Sequence, residues 1–380
     1  MTVSFKPEQN FEIERLGDFE VRVLFPEPKP SDLDVRHTTL FVHEPLKLEL
    51  GGELKMVRVA YSTYGQLNAS KDNAVLVCHA LTGSSSVASW WSEALGAGRM
   101  LDTDQNFIVC ANVLGGCYGS TGASSVNPNT NRTYGNQFPD ITIPDMVKVQ
   151  AALLEHLGVQ RIEAVIGGSM GGMQALEWVR AFPERIGAAV IIGAPARHSA
   201  WGITFNHLAR MAIQNDPDFK AGKYSRQPQG LALARAITTL FFRSPESFGL
   251  TQGRRASPTE PSRFAMETYL EHQGERLLER FDANCYISIT KAMDKFDISP
   301  SQLEQIAVPL LSIGISSDLL YLPAEAREIA ETVQNGQYWE LSSPHGHDAF
   351  LLETARLTAQ VQAFLANVAR DTLPPVGALS

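Results

Sequence analysis

The chain has 380 residues and a formal net charge of −9. This length allows one large α/β domain with an insertion or two ordinary domains. A hydrophobic fraction of 44 % and a charged fraction of 19 % exclude a globally disordered chain, and the negative charge argues against nucleic acid as the main partner. The first residues lack an apolar secretory region and no apolar stretch is long enough to span a bilayer, so we expect a cytoplasmic protein.

The four cysteines, Cys78, Cys110, Cys117 and Cys285, form neither a CxxC pair nor a spacing typical of zinc ligands. Cys78 and Cys110 lie in apolar runs and are interpreted as reduced core residues. We therefore expect no metal and no resident cofactor.

The N-terminal third of the chain is interpreted as an extended arm followed by strands. Residues 1–35 form the predicted arm, and residues 39–42 and 47–50 alternate as strands do, with a hairpin turn at Gly51-Gly52 and a further strand at 56–61. Continuous apolar runs at 74–78 and 107–111 are typical of strands covered on both faces.

A glycine-rich loop at 115–122 follows the second of these runs. It has neither the GK[ST] of a phosphate-binding loop nor G-x-G-x-x-G spacing, so we interpret it as the wall of a pocket and not as a nucleotide cradle.

An amphipathic helix is predicted at 145–157, and the most informative stretch of the chain follows it. The apolar run 164–166 leads into Gly167, Ser169 and Gly171, which form G-x-S-x-G, and a helix is predicted from residue 173. A strand, a tight turn and a helix in this order are typical of a nucleophile elbow. The alternative is an ordinary glycine-rich turn.

The rest of the chain alternates between strands and helices, with one interruption. A strand is predicted at 188–192, only helices between 196 and 298, and then a strand at 308–313, a helix at 323–333, a strand at 337–341, a helix at 348–368 and a frayed tail at 372–380. The alternation indicates a parallel sheet. We predict an α/β core in two parts, 36–195 and 299–370, and a helical lid at 196–298 that lies over the active site.

A serine hydroxyl needs a base and an orienting carboxylate. Asp318 and His347 follow predicted strands in the chain order serine, acid, histidine that suits an elbow serine. His345 competes with His347 as the base, and a metal site at these two histidines and Asp348 is the less favoured alternative. An oxyanion hole would use the N–H groups of Met170, directly after the nucleophile, and of Leu81 in the loop after an early strand.

Several motifs together resemble the homoserine O-acetyltransferase family, over about residues 40 to 368. They comprise residues 79–83, 112–117, 119–122, 167–178, 280–284 and 344–351. The resemblance implies an α/β-hydrolase fold with a mostly parallel sheet and a helical lid, a homodimer, and acyl transfer from acyl-CoA to homoserine in methionine biosynthesis. Some relatives use succinyl-CoA, serine or deacetylcephalosporin C.

The resemblance also implies a ping-pong mechanism through Ser169. By family position, Arg235 would bind the carboxylate of the acceptor amino acid and Asp348 its ammonium group. Phe242 stands where the family pattern leads us to expect a substrate-contacting tyrosine, seven residues after the arginine, which leaves serine or another amino alcohol open as acceptor and succinyl-CoA as donor. A serine esterase and a non-catalytic binding protein are the alternatives from other classes.

Overall fold

The computed structural model describes residues 12–16, 19–23 and 35–372. Within the predicted N-terminal arm it contains an antiparallel hairpin of strands β1 (Glu12–Leu16) and β2 (Phe19–Val23). The other residues of that arm lie outside the described residues. So does the predicted frayed tail, apart from Thr372 at the end of the last helix.

The central feature is an eight-stranded sheet in the order β14-β13-β12-β11-β7-β8-β6-β3. The five neighbouring pairs from β14 to β8 are parallel, and β6 pairs antiparallel with both β8 and β3. The strands after β2 are β3 (Arg36–Leu40), β4 (Leu46–Lys47), β5 (Glu53–Leu54), β6 (Val57–Tyr64), β7 (Ala74–Cys78), β8 (Phe107–Ala111), β9 (Val126–Asn127), β10 (Arg132–Thr133), β11 (Ile162–Gly168), β12 (Ile186–Ile192), β13 (Leu310–Ile315) and β14 (Gly336–Leu341). The mostly parallel sheet is thus confirmed, as is the hairpin at Gly51-Gly52, which joins β4 to β5.

The helices connect the strands and cover both faces of the sheet. They are α1 (Val87–Trp90), α2 (Ile143–His156), α3 (Met170–Ala181), α4 (Ala200–Gln214), α5 (Gly230–Phe242), α6 (Pro245–Thr251), α7 (Ala265–Leu278), α8 (Ala283–Asp294), α9 (Pro300–Leu303), α10 (Pro323–Thr332), α11 (Ala349–Leu352) and α12 (Thr354–Thr372). Short 3-10 turns lie at Ser92–Ala94, Gly135–Gln137, Pro183–Arg185, Pro217–Gly222 and Gly346–Asp348.

Three predicted helices needed correction. The helix predicted from residue 173 starts three residues earlier, at Met170 directly after Ser169. The helix predicted at 145–157 starts two residues earlier, because Thr142 and Asp145 form a capping box around its first turn. The single helix predicted at 348–368 is two helices, since Glu353 has φ −93° and ψ 38° and ends α11 before α12 begins.

Alternate side chains of the central strands enter two separate cores. In β7, Leu76 belongs to the same core as Met146 and Trp178 of α2 and α3, whereas Val77 belongs to the core on the opposite face, with Phe364 of α12. This two-residue alternation is the normal pleat of a strand, and all five residues of β7 are buried because helices cover both faces.

Between β12 and β13 the chain runs through helices α4 to α9. We call residues 196–298, which contain α4 to α8, the helical segment. Its two ends meet: Ile298 N–H donates to Ala196 O (3.0 Å) and His198 N–H donates to Phe296 O (2.8 Å). Of the helices in the described residues, none is long and apolar enough to cross a membrane.

We predict that the central strands carry much of the stability. Leu76→Ala should lower the free energy of unfolding by about 2–5 kcal/mol, because a buried leucine loses its packing and leaves a cavity. The matched control is Leu50→Ala, at a leucine that is 52 % exposed in the β4–β5 turn, which should cost less than about 0.5 kcal/mol. Urea titration measures both, and equal losses would contradict the assignment of β7 to the core.

Candidate active site

Ser169 occupies a strained turn between β11 and α3. It has φ 58° and ψ −127°, and its N–H donates to Ile192 O at 2.9 Å. A Cβ on Gly167 would lie 2.1 Å from Gly171 O, and a Cβ on Gly171 would lie 2.0 Å from Cys78 O. Only glycine fits at either position, so the turn has the tight strand-to-helix geometry of a nucleophile elbow.

Asp318 and His347 form a buried hydrogen-bonded pair. His347 Nδ1 donates to Asp318 Oδ2 at 2.6 Å, and each residue is 2 % exposed. Asp318 Oδ1 accepts the backbone N–H groups of Leu320 (2.8 Å) and Tyr321 (3.0 Å). These bonds fix the carboxylate, which in turn places the ring proton on Nδ1 and leaves Nε2 of His347 as the basic atom.

The environment of His347 combines apolar packing with negative charge. Its ring packs against the rings of Phe242, Tyr321 and Phe350. Burial by itself lowers the pKa of His347, but the carboxylate of Asp318 outweighs it and Asp348 adds to the effect, so that pKa lies above its ordinary value. Nε2 is buried and has no hydrogen-bond partner among the described residues, Ser169 included; in enzymes without substrate such bonds are often long.

The two predicted oxyanion donors come from adjoining parts of the structure. Met170 is the first residue of α3, where helix N–H groups have no intrahelical partner, and Leu81 lies in the loop directly after β7. Gln174 bridges the two regions, because its Nε2 donates to both His79 O and Met170 O, at 3.2 Å each.

Charged side chains of the helical segment lie near His347 and Asp348. Asp348 pairs with Arg243, whose Nε lies 3.1 Å from Asp348 Oδ2. Arg235 is 7 % exposed, and its guanidinium carbon lies 5.2 Å from the centre of the Phe242 ring, which also stacks on His347. Burial and the charge of Arg280 lower the pKa of Arg235, and Asp348 partly offsets them.

Arg280 ties the helical segment to two core loops. Its Nη1 donates to Thr82 O (2.9 Å) and to the Tyr118 hydroxyl (2.6 Å). Thr82 belongs to the loop of Leu81, and Tyr118 belongs to the glycine-rich loop that we interpreted as a pocket wall. The helical segment and both loops therefore meet on the side of the sheet that carries Ser169.

Comparison with known proteins agrees with this geometry. A family model described as the alpha/beta hydrolase fold matches residues 73–354. The homoserine O-acetyltransferase of Trichormus variabilis is 46 % identical over 352 residues, which cover 90 % of this chain and 98 % of that one. The chain belongs to the homoserine O-acetyltransferase family.

Solved structures of this family and of esterases have the same fold. The homoserine O-acetyltransferase from Bacillus anthracis superposes with a TM-score of 0.80 at 26 % identity, over 87 % of this chain and 98 % of that chain. Esterase E22 also superposes with a TM-score of 0.80, at 27 % identity, over 87 % of this chain and 99 % of that chain. The α/β-hydrolase fold that we expected is thereby confirmed.

The two candidate bases, His345 and His347, differ in their hydrogen-bond partners. Asp318 bonds to His347, whereas the backbone N–H of His345 donates to Ser343 Oγ at 3.2 Å. Burial and the charge of Arg243 lower the pKa of His345. In the described part of the chain, no group of three or more His, Cys, Asp or Glu side chains is placed to hold a metal ion.

Two residues of the site were not singled out from the sequence. Arg243 follows Phe242 at the end of α5, and no local pattern distinguishes it from an exposed charge. Tyr321, which donates its N–H to Asp318 and packs on His347 through its ring, lies between Asp318 and the helix predicted from residue 323, and no role was assigned to it from the sequence.

The opposite pKa shifts of the two histidines give a pH test. If His347 is the base, labelling of Ser169 by a serine-directed phosphonate should fall as the pH drops through a midpoint above 6.5, where the imidazole becomes protonated. If His345 is the base, the midpoint should lie below 6.5. The labelling rate is followed by mass spectrometry across pH 5–9.

Two variants serve as controls for this profile. Asp318→Asn should slow labelling by about 10⁴-fold, because the variant lacks the carboxylate that orients the imidazole of His347 and stabilises its protonated form. His345→Gln should leave both rate and midpoint unchanged. A midpoint below 6.5 that disappears in His345→Gln would contradict the assignment of His347.

Proposed function

We propose that this chain transfers the acetyl group of acetyl-CoA to the hydroxyl of L-homoserine, giving O-acetyl-L-homoserine and CoA in methionine biosynthesis. The observation that carries the proposal is the buried His347–Asp318 pair beside a glycine-flanked elbow serine, in a chain 46 % identical to a protein named homoserine O-acetyltransferase. Acyl-CoA acts as a substrate, and no cofactor is needed for this chemistry.

In the first half-reaction, Ser169 becomes acylated. His347 Nε2 takes the hydroxyl proton while Oγ attacks the thioester carbonyl carbon. The N–H groups of Met170 and Leu81 hold the negative oxygen of the tetrahedral intermediate. The C–S bond then breaks, and the proton on Nε2 passes to the CoA thiolate as it leaves. Asp318 stabilises the charged imidazole throughout.

In the second half-reaction, the acceptor takes the place of CoA. His347 Nε2 removes the proton of the homoserine hydroxyl, whose oxygen attacks the acyl carbon. Collapse of the second tetrahedral intermediate breaks the bond to Ser169 Oγ, which recovers the proton from Nε2. No net proton is gained or lost by the enzyme over the cycle.

Arg235 and Asp348 are proposed to bind the charged ends of the acceptor. The planar fork of Arg235 suits the two oxygens of a carboxylate. Asp348 already pairs with Arg243 through Oδ2, but a carboxylate can accept from more than one donor, so it can also bind the ammonium group. Phe242 supplies an apolar face where the family pattern would supply a hydroxyl, which keeps serine as an alternative acceptor and succinyl-CoA as an alternative donor.

Ester hydrolysis is the second candidate function. It is favoured by the superposition on esterase E22, which is as good as that on the acetyltransferase of B. anthracis. The same acyl-enzyme is hydrolysed when water takes the place of the acceptor. The buried arginines Arg235 and Arg243 and the half-buried Asp348 favour an amino-acid acceptor over water, because a zwitterion carries one charge of each sign.

We also propose a cytoplasmic homodimer. The cysteines in the described residues are free thiols, which suits a reducing compartment. The outer faces of two helices in the helical segment expose large apolar side chains: Trp201, Ile203, Leu208 and Met211 on α4, and Leu233 and Leu240 on α5. Adjacent exposed apolar side chains are typical of a surface that another subunit covers.

The function is tested by CoA release with acetyl-CoA or succinyl-CoA, each with homoserine, serine or no acceptor. We expect acetyl-CoA turnover that requires homoserine. Ser169→Ala should remove it, to below about 10⁻³ of the wild-type rate, while leaving the fold intact, because the variant lacks the attacking oxygen. Circular dichroism and the melting temperature check the fold.

Each of the other possible results of the CoA-release assay would lead to a different functional assignment. Preference for succinyl-CoA or serine would keep the mechanism and change the substrates. Equal CoA release with and without an acceptor would indicate a hydrolase. Substantial activity in Ser169→Ala would exclude Ser169 as the nucleophile.

The dimer is tested by analytical ultracentrifugation. We expect a dimer for the wild type and a monomer for Leu208→Asp, since a charge in the centre of an apolar interface loses its hydration. Leu50→Asp places the same charge on an exposed leucine outside the helical segment and should remain dimeric. A monomeric wild type, or dissociation of both variants, would contradict the proposal that the outer faces of α4 and α5 form the dimer interface.

A further inference from the structure

A buried polar network lies where the helical segment joins the core, and it centres on Asp294. This carboxylate accepts His198 Nδ1 (3.0 Å), Asn206 Nδ2 (2.8 Å) and Arg210 Nη2 (2.5 Å). Burial acts to raise the pKa of Asp294, but the three donors outweigh it, so that pKa lies below its ordinary value. The group is therefore an ionised carboxylate, and it accepts a hydrogen bond from Nδ1 of His198.

The other ring nitrogen of His198 contacts a tyrosine. Nε2 lies 3.1 Å from the Tyr321 hydroxyl, and both side chains are buried. Burial and the nearby Asp318 raise the pKa of Tyr321, so the phenol keeps its proton and donates to Nε2. A Cβ on Gly202 would lie 2.4 Å from Nε2, so a glycine in the first turn of α4 provides the space for this ring.

Tyr321 belongs to the loop that presents the acid to the base. Its N–H donates to Asp318 Oδ1, and its ring meets the His347 ring edge-on, with centroids 5.3 Å apart at 76°. His198 in turn lies at the point where the chain enters the helical segment, with its N–H on Phe296 O at the point of return. One line of contacts thus runs from α8 through His198 and Tyr321 to the Asp318–His347 pair.

We propose that His198 is a positioning residue for this pair. Asp294 holds its Nδ1, its Nε2 holds the Tyr321 hydroxyl, and it thereby fixes the 318–321 loop that presents Asp318 to His347. The proposal deepens the proposed function and rests on Ser169 as nucleophile, but it is independent of the acyl donor and of the acceptor.

The charges around the contact explain why it affects the base. Arg210 and Asp294 face His198 from the helical segment, and Glu325 faces it from the start of α10. Asp318 and His347 face Tyr321 from the other side. Without the Tyr321 hydroxyl, the loop keeps the N–H bonds of Leu320 and Tyr321 to Asp318 and the bond from Trp201 Nε1 to Leu319 O. It loses its hydrogen bond to the network around Asp294, so we expect the hydrogen bond that keeps His347 basic to weaken.

The test measures phosphonate labelling of Ser169 in Tyr321→Phe, His198→Leu and the double variant. We expect each single variant to label about threefold to tenfold more slowly at pH 8, the factor that one hydrogen bond carries. The acid midpoint of the rate should move to lower pH. The double variant should be no slower than the slower single variant, because both substitutions break the same contact.

A matched control removes an equivalent hydroxyl elsewhere in the helical segment. The Tyr224 hydroxyl donates to Asp282 Oδ2 at 2.8 Å, so Tyr224→Phe loses the same group without touching the acid loop. It should keep the wild-type rate and midpoint even if its melting temperature falls. His198→Gln, whose amide can still accept from Tyr321, should retain more of the rate than His198→Leu.

The outcomes separate this proposal from the proposed function. Wild-type rates and midpoints in Tyr321→Phe and His198→Leu, or additive losses in the double variant, would overturn the positioning role. A wild-type chain that is labelled at Ser169 but turns over no acetyl-CoA would overturn the function alone. A wild-type chain that is not labelled at Ser169 would overturn both the assignment of Ser169 as the nucleophile and the positioning role of His198.

Discussion

Two backbone carbonyls leave no space for a side chain on either side of Ser169, and the rest of the site depends on this contact. Gly167 lies against Gly171 O and Gly171 against Cys78 O, so α3 starts directly on the end of β7. The close approach forces Ser169 to φ 58°, a strain of about 1–3 kcal/mol that the surrounding sheet must offset. It also brings the N-terminus of α3 beside the loop of Leu81. The same close contact therefore positions both the proposed nucleophile and the proposed oxyanion donors.

A second constraint is the burial of charge beside the base. Arg235, Arg243 and Asp348 are all largely removed from water, and burial of charges costs several kcal/mol per ion unless they are well paired. Asp348 forms an ion pair with Arg243, whereas Arg235 has no carboxylate within ion-pair distance among the described residues. Such an arrangement is poor for stability alone. It is useful if a substrate carboxylate completes the pairing, as in the proposed binding of an amino acid.

The sequence predicted those parts of the site that are local in the chain. Ser169, Asp318 and His347 each lie in the turn or loop that follows a strand, so strand order and loop position were enough to propose them as a catalytic set. The Arg243–Asp348 pair could not be found in this way, because it joins a helix of the helical segment to a core loop, and the rotation of that helix is set by tertiary packing. For the same reason, His198 was not singled out from the sequence. The break between α11 and α12 at Glu353 was not predicted, because residues 348–368 keep a helical apolar pattern across it.

Esterase E22 and the homoserine O-acetyltransferase of Bacillus anthracis superpose equally well on this chain, so the fold does not decide between hydrolysis and acyl transfer. An elbow serine and an acid–base pair form the acyl-enzyme in either class, so the core alone does not distinguish hydrolysis from transfer. Transfer prevails when an acceptor hydroxyl is held at high effective concentration and water is kept out. In this chain, Arg235, Phe242 and Arg243 lie around His347 and come from the helical segment, as does His198, which contacts the acid loop. The segment proposed to bind the acceptor thus also supports the base that activates it, which links acceptor choice to catalytic rate through one set of helices.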